Sequence, residues 1–382
     1  MDNRWTNAKR VLCVRLDSLG DVLMTTPAFR ALRGAVPGRH ITLLTSRAGA
    51  ALDGLLPDVD ELLAYDAPWM KTSSPADAGL DFGTIARLAA ARFDAAVIFT
   101  VFSQNPLPAA LMCHLAGIPL RLAHCHENPY ELLSHWVADD EPQQRIRHEV
   151  RRQLDLVATV GCHTNDERLG LARRPSAVAE VRRILGRRGL DESQPWLVVH
   201  PGALAPSRRY PAESFAEVVS RLTETYHFQA VFTGDSSERK LVDSIRLRLR
   251  KRSISLVGRL SVAQLTALIS MTPVLLSNNS GPVHIAAAMG TRVVDLYALT
   301  NPQHTPWQVA SRVLYHDVAC KYCLKSVCPM QHHNCLRLLE PSRVVSAVLD
   351  LYQERTPVSK LDSDIAAHLS VGDAPLAGLS VA

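Results

Sequence analysis

Short apolar runs alternate with longer stretches of helical period along most of the chain. In the first half "RVLCVRL" (10–16), "HITLLTS" (40–46), "VDELLAYD" (59–66) and "FDAAVIFTV" (93–101) read as strands. Their near-continuous apolar character suits strands buried on both faces of a parallel sheet. Segments beginning near Gly20, Arg47, Gly79 and Pro106 read as the intervening helices. The second half repeats the pattern with "PWLVVHPG", "FQAVFTG", "SISLVG", "PVLLSN" and "RVVDLYA", and with helices near Ala212, Ser237, Val262 and Pro282. Two such halves predict an α/β chain of two doubly wound, Rossmann-like domains facing a cleft. The predicted division is a first domain over 1–185, a polar, glycine-containing linker over 186–195 and a second domain over 196–340. A helix over 341–355 follows, then a flexible tail over 356–382 with little periodicity.

Composition narrows the partners. The 382 residues suffice for two domains, and 47% hydrophobic content lets each half bury a core. The net charge of +5 fits an anionic small ligand or weak attraction to an acidic membrane surface, and disfavours nucleic acid. Basic residues concentrate in "EVRRILGRR" and "RLRLRKR", which read as solvated helix faces. The polar start "MDNRWTNAKR" carries no secretory signal, and no apolar run reaches the ~20 residues of a membrane span. The expectation is a cytoplasmic protein, peripheral to a membrane at most.

Ligands of open α/β sheets bind beyond the carboxyl ends of the strands, so the strand-to-helix turns hold the candidate chemistry. In "RLDSLGDVLM" Ser18 and Asp21 match a capping box, which is one reading of Asp21. The other is a catalytic base. Gly20 inside the first helical turn costs about 1 kcal/mol relative to alanine, and close approach of a ligand is the usual reason. In "LLSNNSGPVHIAAAMG" Pro282 suits the first helical position and Ser280 or Gly281 the cap. Free N–H groups there form an anion site, with Asn279 and His284 placed to contact phosphate or sugar. Equally, Asn279 and Ser280 could only cap, and His284 could pack against the next strand. In "HPGALAPSRRYP" Gly202 ends a strand, and Arg208 and Arg209 can reach a phosphate bidentately or form a solvated basic loop.

Four of the eight cysteines fall within "CKYCLKSVCPMQHHNC". In a reducing compartment this favours a metal or thiol site over a disulfide frame. Cys320, Cys323, Cys328 and Cys335, with His332 able to replace the last and His333 beside it, have the spacing of a structural zinc site. Reduced thiols in a folded loop are the alternative, and neither reading gives the cluster a catalytic role.

Taken in order and spacing, these turns resemble glycosyltransferase family 9, the ADP-heptose:lipopolysaccharide heptosyltransferases, and look most like its heptosyltransferase II-like members. "VFTGDSSE", "LVGRLSVAQLTALIS" and "CKYCLKSVCPMQHHNCL" extend the likeness over about residues 10–352. The resemblance implies a GT-B fold, with acceptor on the first domain and nucleotide-sugar donor on the second. It implies inverting transfer of a heptose, from ADP-heptose, to a lipopolysaccharide core or other surface glycan, without a catalytic metal or cofactor. The expected location is the cytoplasm, at most at the cytoplasmic face of the inner membrane. Carried over residue by residue, it makes Asp21 the base, puts Arg208 on the donor phosphate, and has Ser280, Gly281 and His284 hold the donor. Two departures stand out. Asn279 replaces a frequent aspartate, which leaves the donor sugar or its binding mode open. Tyr210 replaces a frequent tryptophan and keeps an aromatic surface. The alternatives are a GT-B nucleotide-sugar epimerase or hydrolase, and a non-catalytic nucleotide-binding member supported only by Asn279.

Overall fold

The structure, a computed structural model, describes residues 3–71 and 77–354. The 356–382 tail lies outside the described residues. Two six-stranded, all-parallel sheets form the frame. The first contains β1 (Arg10–Arg15), β2 (His40–Thr45), β3 (Glu61–Ala64), β4 (Ala95–Ile98), β5 (Leu120–Cys125) and β6 (His135–Ala138), in the order β3-β2-β1-β4-β5-β6. Its helices are α1 (Asn3–Asn7), α2 (Leu19–Ala35), α3 (Arg47–Ala50), α4 (Ala78–Ala91) and α5 (Leu107–Leu115). Then α6 (Glu149–Ala158) and α7 (Pro175–Arg187) lead to the second domain.

There β7 (Trp196–His200), β8 (Gln229–Phe232), β9 (Ile254–Ser255), β10 (Val274–Asn278), β11 (Arg292–Leu296) and β12 (Ser311–Leu314) take the order β12-β11-β10-β7-β8-β9. Helices α8 (Ala212–Glu224), α9 (Arg239–Arg246), α10 (Val262–Met271), α11 (Gly281–Met289), α12 (Asn334–Arg337) and α13 (Pro341–Gln353) cover it. The two sheets have the same topology. In each the strand order reverses beside the first strand, between β1 and β4 and between β7 and β10, which is where such folds open a crevice.

The strands read from sequence are those with unbroken apolar cores. Residues 11–15 of β1 and all of β7 are buried. Three strands escape that criterion. β5 carries Arg121 and His124, both buried; the Arg121 guanidinium is satisfied by backbone carbonyls, among them Leu132 and Glu131. β6 and β12 lie at sheet edges and are only partly covered, so their polar residues blur the period. The 186–195 linker starts inside α7, and the open connection to β7 is 188–195. Moreover, α7 packs against α10, with Gln264 donating to Glu180 at 2.8 Å, so the chain has joined the second domain before α7 begins. No described helix is long and apolar enough to cross a membrane.

Two contacts bring the domains together at the crevice. The amino ends of α2 and α11 meet: a Cβ on Gly281 would lie 3.5 Å from Leu19. The loop after β11 is held by the start of α6. Glu149 N donates to Gln303 O at 3.0 Å, and His148 pairs with Thr305 O at 2.9 Å and stacks on Trp307.

Candidate active site

Asp21 is the third residue of α2, and the backbone N and Oγ of Ser18 both donate to its Oδ2, at 3.1 and 2.7 Å. The capping reading is therefore correct for one carboxylate oxygen. The other, Oδ1, lies 3.5 Å from Arg15 Nη2 and 3.9 Å from His304 Nε2 of the second domain. Capping and a cleft position coexist in one side chain.

Arg15, the last residue of β1, is fully buried. Its guanidinium lies 3.0 Å from Asp17 Oδ2 and 2.8 Å from the buried Glu149 Oε1. One cation thus serves three carboxylates. Burial opposes charge on Asp21, but Arg15, His304 and Ser18 outweigh it and hold the carboxyl down at about 2. Asp17 moves the other way: burial pushes it up to about 6, against Arg15 and with the help of the Asp21 charge. The opposite displacements make Asp21 the stronger acid of the two, ionised well before Asp17 as pH rises.

The second domain supplies imidazoles and an open helix end. Ser280 is the N-cap of α11 and Pro282 lies in its first turn. Ser280 makes no side-chain cap; its Oγ donates instead to Asn278 O at 3.1 Å. The positive end of α11 is thus left without the carboxylate that Asp21 brings to α2. His284 does not pack on the next strand. It sits over Gly20, where an added Cβ would lie 2.7 Å from its Cδ2. This corrects the ligand explanation of Gly20: the glycine makes room for an imidazole of the other domain. Burial brings His284 down to about 3 and also lowers His304, so both are neutral near pH 7.

The two arginines of "SRRY" separate. Arg209 turns back, its Nε donating to Ala203 O at 2.9 Å. Arg208 has no side-chain partner among the described residues, and its charge is felt by His284, His304 and Asp295. Of the pair, Arg208 lies at the crevice. Gly202 leaves room for the Glu238 carboxylate, since a Cβ there would fall 1.9 Å from Glu238 Oε1 and displace it. The Glu238 carboxylate, raised by burial, lies across the ends of β7 and β8 and accepts from Asp235 N at 2.9 Å.

The amide nitrogen of Asn279 is turned inward. It donates to Asp295 Oδ2 at 3.0 Å and to His304 O at 2.9 Å. Asp295 is fully buried, and burial raises it to about 8, against Asn279 and Arg208. An aspartate at 279 would put two carboxylates in contact; the amide instead supplies donors. Asn279 thus fixes the loop that presents His304. Tyr210 offers no aromatic surface. It is 1% exposed, packs edge-on against Phe215, and donates its hydroxyl to Leu339 O at 2.9 Å.

The cysteine loop braces this side of the crevice. Ser207 beside Arg208 donates from N and Oγ to the carbonyls of Ser326 and Lys325, at 3.2 and 2.9 Å. Burial raises the Cys335 thiol, and the charges of Cys328, Cys320 and Cys323 add to the effect, so the four thiols share one neighbourhood. Cys320 Sγ lies 3.7 Å from His332 Nε2. Among the described residues, no three His, Cys, Asp or Glu side chains are grouped as a metal ligand set.

Arg15, Asp17, Glu149 and His304 were not singled out from sequence. Arg15 left a signal, a cation closing an otherwise apolar strand. Glu149 and His304 left none, because they reach Arg15 and Asp21 respectively from far along the chain.

A family model for glycosyltransferase family 9 (heptosyltransferase) matches residues 84–334. The chain is 25% identical over 224 residues to the lipooligosaccharide heptosyltransferase 2 of Campylobacter jejuni, a stretch covering 56% of this chain and 66% of that protein. It is 24% identical over 362 residues to the lipopolysaccharide heptosyltransferase 2 of Salmonella typhimurium, covering 90% and 99% of the two chains. Its fold matches a family 9 glycosyl transferase from Veillonella parvula (TM-score 0.77, 22% identity, 91% and 98% coverage). It also matches the ADP-heptose LPS heptosyltransferase II of E. coli (TM-score 0.71, 22% identity, 90% and 98% coverage). Two Rossmann-like domains facing a cleft are the GT-B arrangement.

Proposed function

The chain belongs to glycosyltransferase family 9, and from that premise we propose that it transfers a heptose from ADP-heptose to a lipopolysaccharide-core or related surface-glycan acceptor, with inversion and without a catalytic metal. The observation that carries this reading is the ionised Asp21 Oδ1, held at the meeting of the two domains and 3.9 Å from His304 Nε2.

In the proposed reaction the acceptor hydroxyl attacks the anomeric carbon and passes its proton to Asp21, while the bond to the diphosphate breaks and its electrons leave with ADP. A carboxyl titrating at about 2 is a weak base. It suffices if proton transfer comes late, when the attacking oxygen has become acidic. The diphosphate charge falls to Arg208 and the uncapped end of α11, which face the crevice opposite Asp21. His284 and His304 are neutral and can each offer one N–H without repelling Arg208. Glu238, beyond Gly202, is suited to accept hydrogen bonds from vicinal hydroxyls of the nucleotide. A hydrolase could use the same base to activate water, so acceptor dependence of ADP release is what separates the two; a non-catalytic member would not need a charged carboxylate there. The amide of Asn279, the one feature that favoured lost catalysis, has a structural cause in Asp295.

The test is incubation with a panel of nucleotide sugars, with and without core oligosaccharide, reading the nucleotide diphosphate released. ADP released from ADP-heptose only when acceptor is present is the expected result. Acceptor-independent release, or a preference for another nucleotide sugar, would overturn the assignment. Added chelator should leave the rate unchanged.

A further inference from the structure

The two basic stretches "EVRRILGRR" and "RLRLRKR" are largely solvated, as expected, but part of each converges on one hollow. Arg188 follows the last turn of α7, Arg246 ends α9, and Lys251 and Arg252 lie in the turn before β9. Together with Arg239 on α9 and Arg259 before α10 they line one cavity of about 350 Å³ along β9. Six cations face it, against one carboxylate, Asp243. That carboxylate is engaged by Arg246 at 3.5 Å, and Arg246 is further fixed by Ser253 Oγ and O, both at 3.1 Å. Arg239 is fixed by Val257 O at 3.0 Å. The side chains of Arg188, Lys251, Arg252 and Arg259 have no hydrogen-bond or carboxylate partner among the described residues. None of the lining residues belongs to the Asp21 crevice.

Cations along a sheet edge commonly guard it against pairing with another chain. Here β9 is the edge strand but only two residues long, which blunts the edge by itself. Guarding charges also need only point outward, whereas these ring a hollow contributed by three separate turns. Gathering like charges this way raises the local potential and the free energy of the empty site, and an anion relieves both. A volume of about 350 Å³ lies within the range of small-ligand sites. One phosphate would leave most of the cations unmatched.

We propose that this cavity is a binding site for a compact polyanion bearing two or more phosphate groups, either a soluble polyphosphate or the clustered headgroups of an anionic bilayer. The fixed Arg246 and Arg239 form its floor and the four unpaired cations close on the phosphates.

The test compares the wild type with Lys251→Glu/Arg252→Glu, with Arg259→Gln on a separate turn, and with Arg183→Glu/Lys240→Glu, an exposed control pair outside the cavity. Arg208→Ala is run alongside to report binding at the crevice, and thermal melting confirms that each variant is folded. Tripolyphosphate binding is read by calorimetry. Sedimentation is read with phosphatidylglycerol-containing and with purely phosphatidylcholine vesicles, at low salt. One-to-one tripolyphosphate binding, weakened roughly tenfold or more in the Lys251/Arg252 variant, weakened in Arg259→Gln, and kept in the control, supports a soluble ligand; the loss of one or more charge-assisted contacts sets that scale. Sedimentation with anionic vesicles alone, lost in the cavity variants and kept in the control, supports bilayer headgroups. No binding in either assay, equal loss in the control pair, or loss only in Arg208→Ala overturns the proposal.

Discussion

The α2 and α11 turns are the same local structure, put to opposite electrostatic use. Each follows an inner strand of a parallel sheet, and each carries a serine N-cap and a glycine in the first turn. In the first domain the helix brings its own anion: Asp21 occupies the amino end, and a buried arginine beneath it keeps the carboxylate charged. In the second domain the cap serine turns away, the flanking Asn279 is engaged by Asp295 and the His304 carbonyl, and the helix end faces the crevice beside Arg208. A helix end filled by a carboxylate repels phosphate, and one left open attracts it. In the proposed reaction, the difference between a proton acceptor and a diphosphate holder rests on whether the third helical residue is an aspartate or, as at Val283, has no charge.

The largest effect should come from the filled end. Asp21→Asn is expected to lower the transfer rate about 10²–10⁴-fold while leaving ADP affinity nearly unchanged. Initial rates and calorimetry on the same preparation check this; near-normal turnover in a folded variant would reduce Asp21 to a cap. Next comes its support. Arg15→Met leaves Asp17, Asp21 and Glu149 without their cation, and breaking such a buried pair costs about 3–5 kcal/mol. Urea unfolding should show a loss of that order, and an unchanged midpoint would mean that the carboxylates find other partners.

A smaller effect is expected at the open end. Arg208→Ala should weaken ADP binding by roughly 1.5–3 kcal/mol, the scale of one charged hydrogen bond, with little change in acceptor KM. Equal ADP affinity in the two proteins would remove Arg208 from the donor site. The last test concerns what holds His304. Asp295 titrates at about 8 when folded, above its unfolded value near 4, so its contribution is fully present below pH 4 and is lost as pH rises through 8. Asp295→Asn keeps an oxygen for Asn279 to donate to and cannot ionise. The stability of the wild type relative to this variant should therefore fall steadily between pH 4 and pH 8 in thermal melts. A flat difference would show that Asp295 is not the buried acid described.

The repetition of two α/β halves was legible because strands buried on both faces must be apolar along their length, and that demand is written locally. β5 was hidden because a buried arginine satisfied by backbone carbonyls looks polar in one dimension. The capping pair of Ser18 and Asp21 was legible too, since its partners are three residues apart, and so was the basic loop that carries Arg208. The residue pattern, apart from the family resemblance that chose Arg208, could not tell Arg208 from Arg209, or explain Gly20 and Asn279, because the atoms that decide those roles come from elsewhere in the chain. His284 fills the space above Gly20 from more than 260 residues away, and Glu149 reaches Arg15 from α6. Short-range patterning determined the elements and the turns where chemistry gathers. Which side chains are charged, paired or left open was decided only when the two domains met, because burial and Coulomb interactions depend on distance in space, and residue order does not encode that distance.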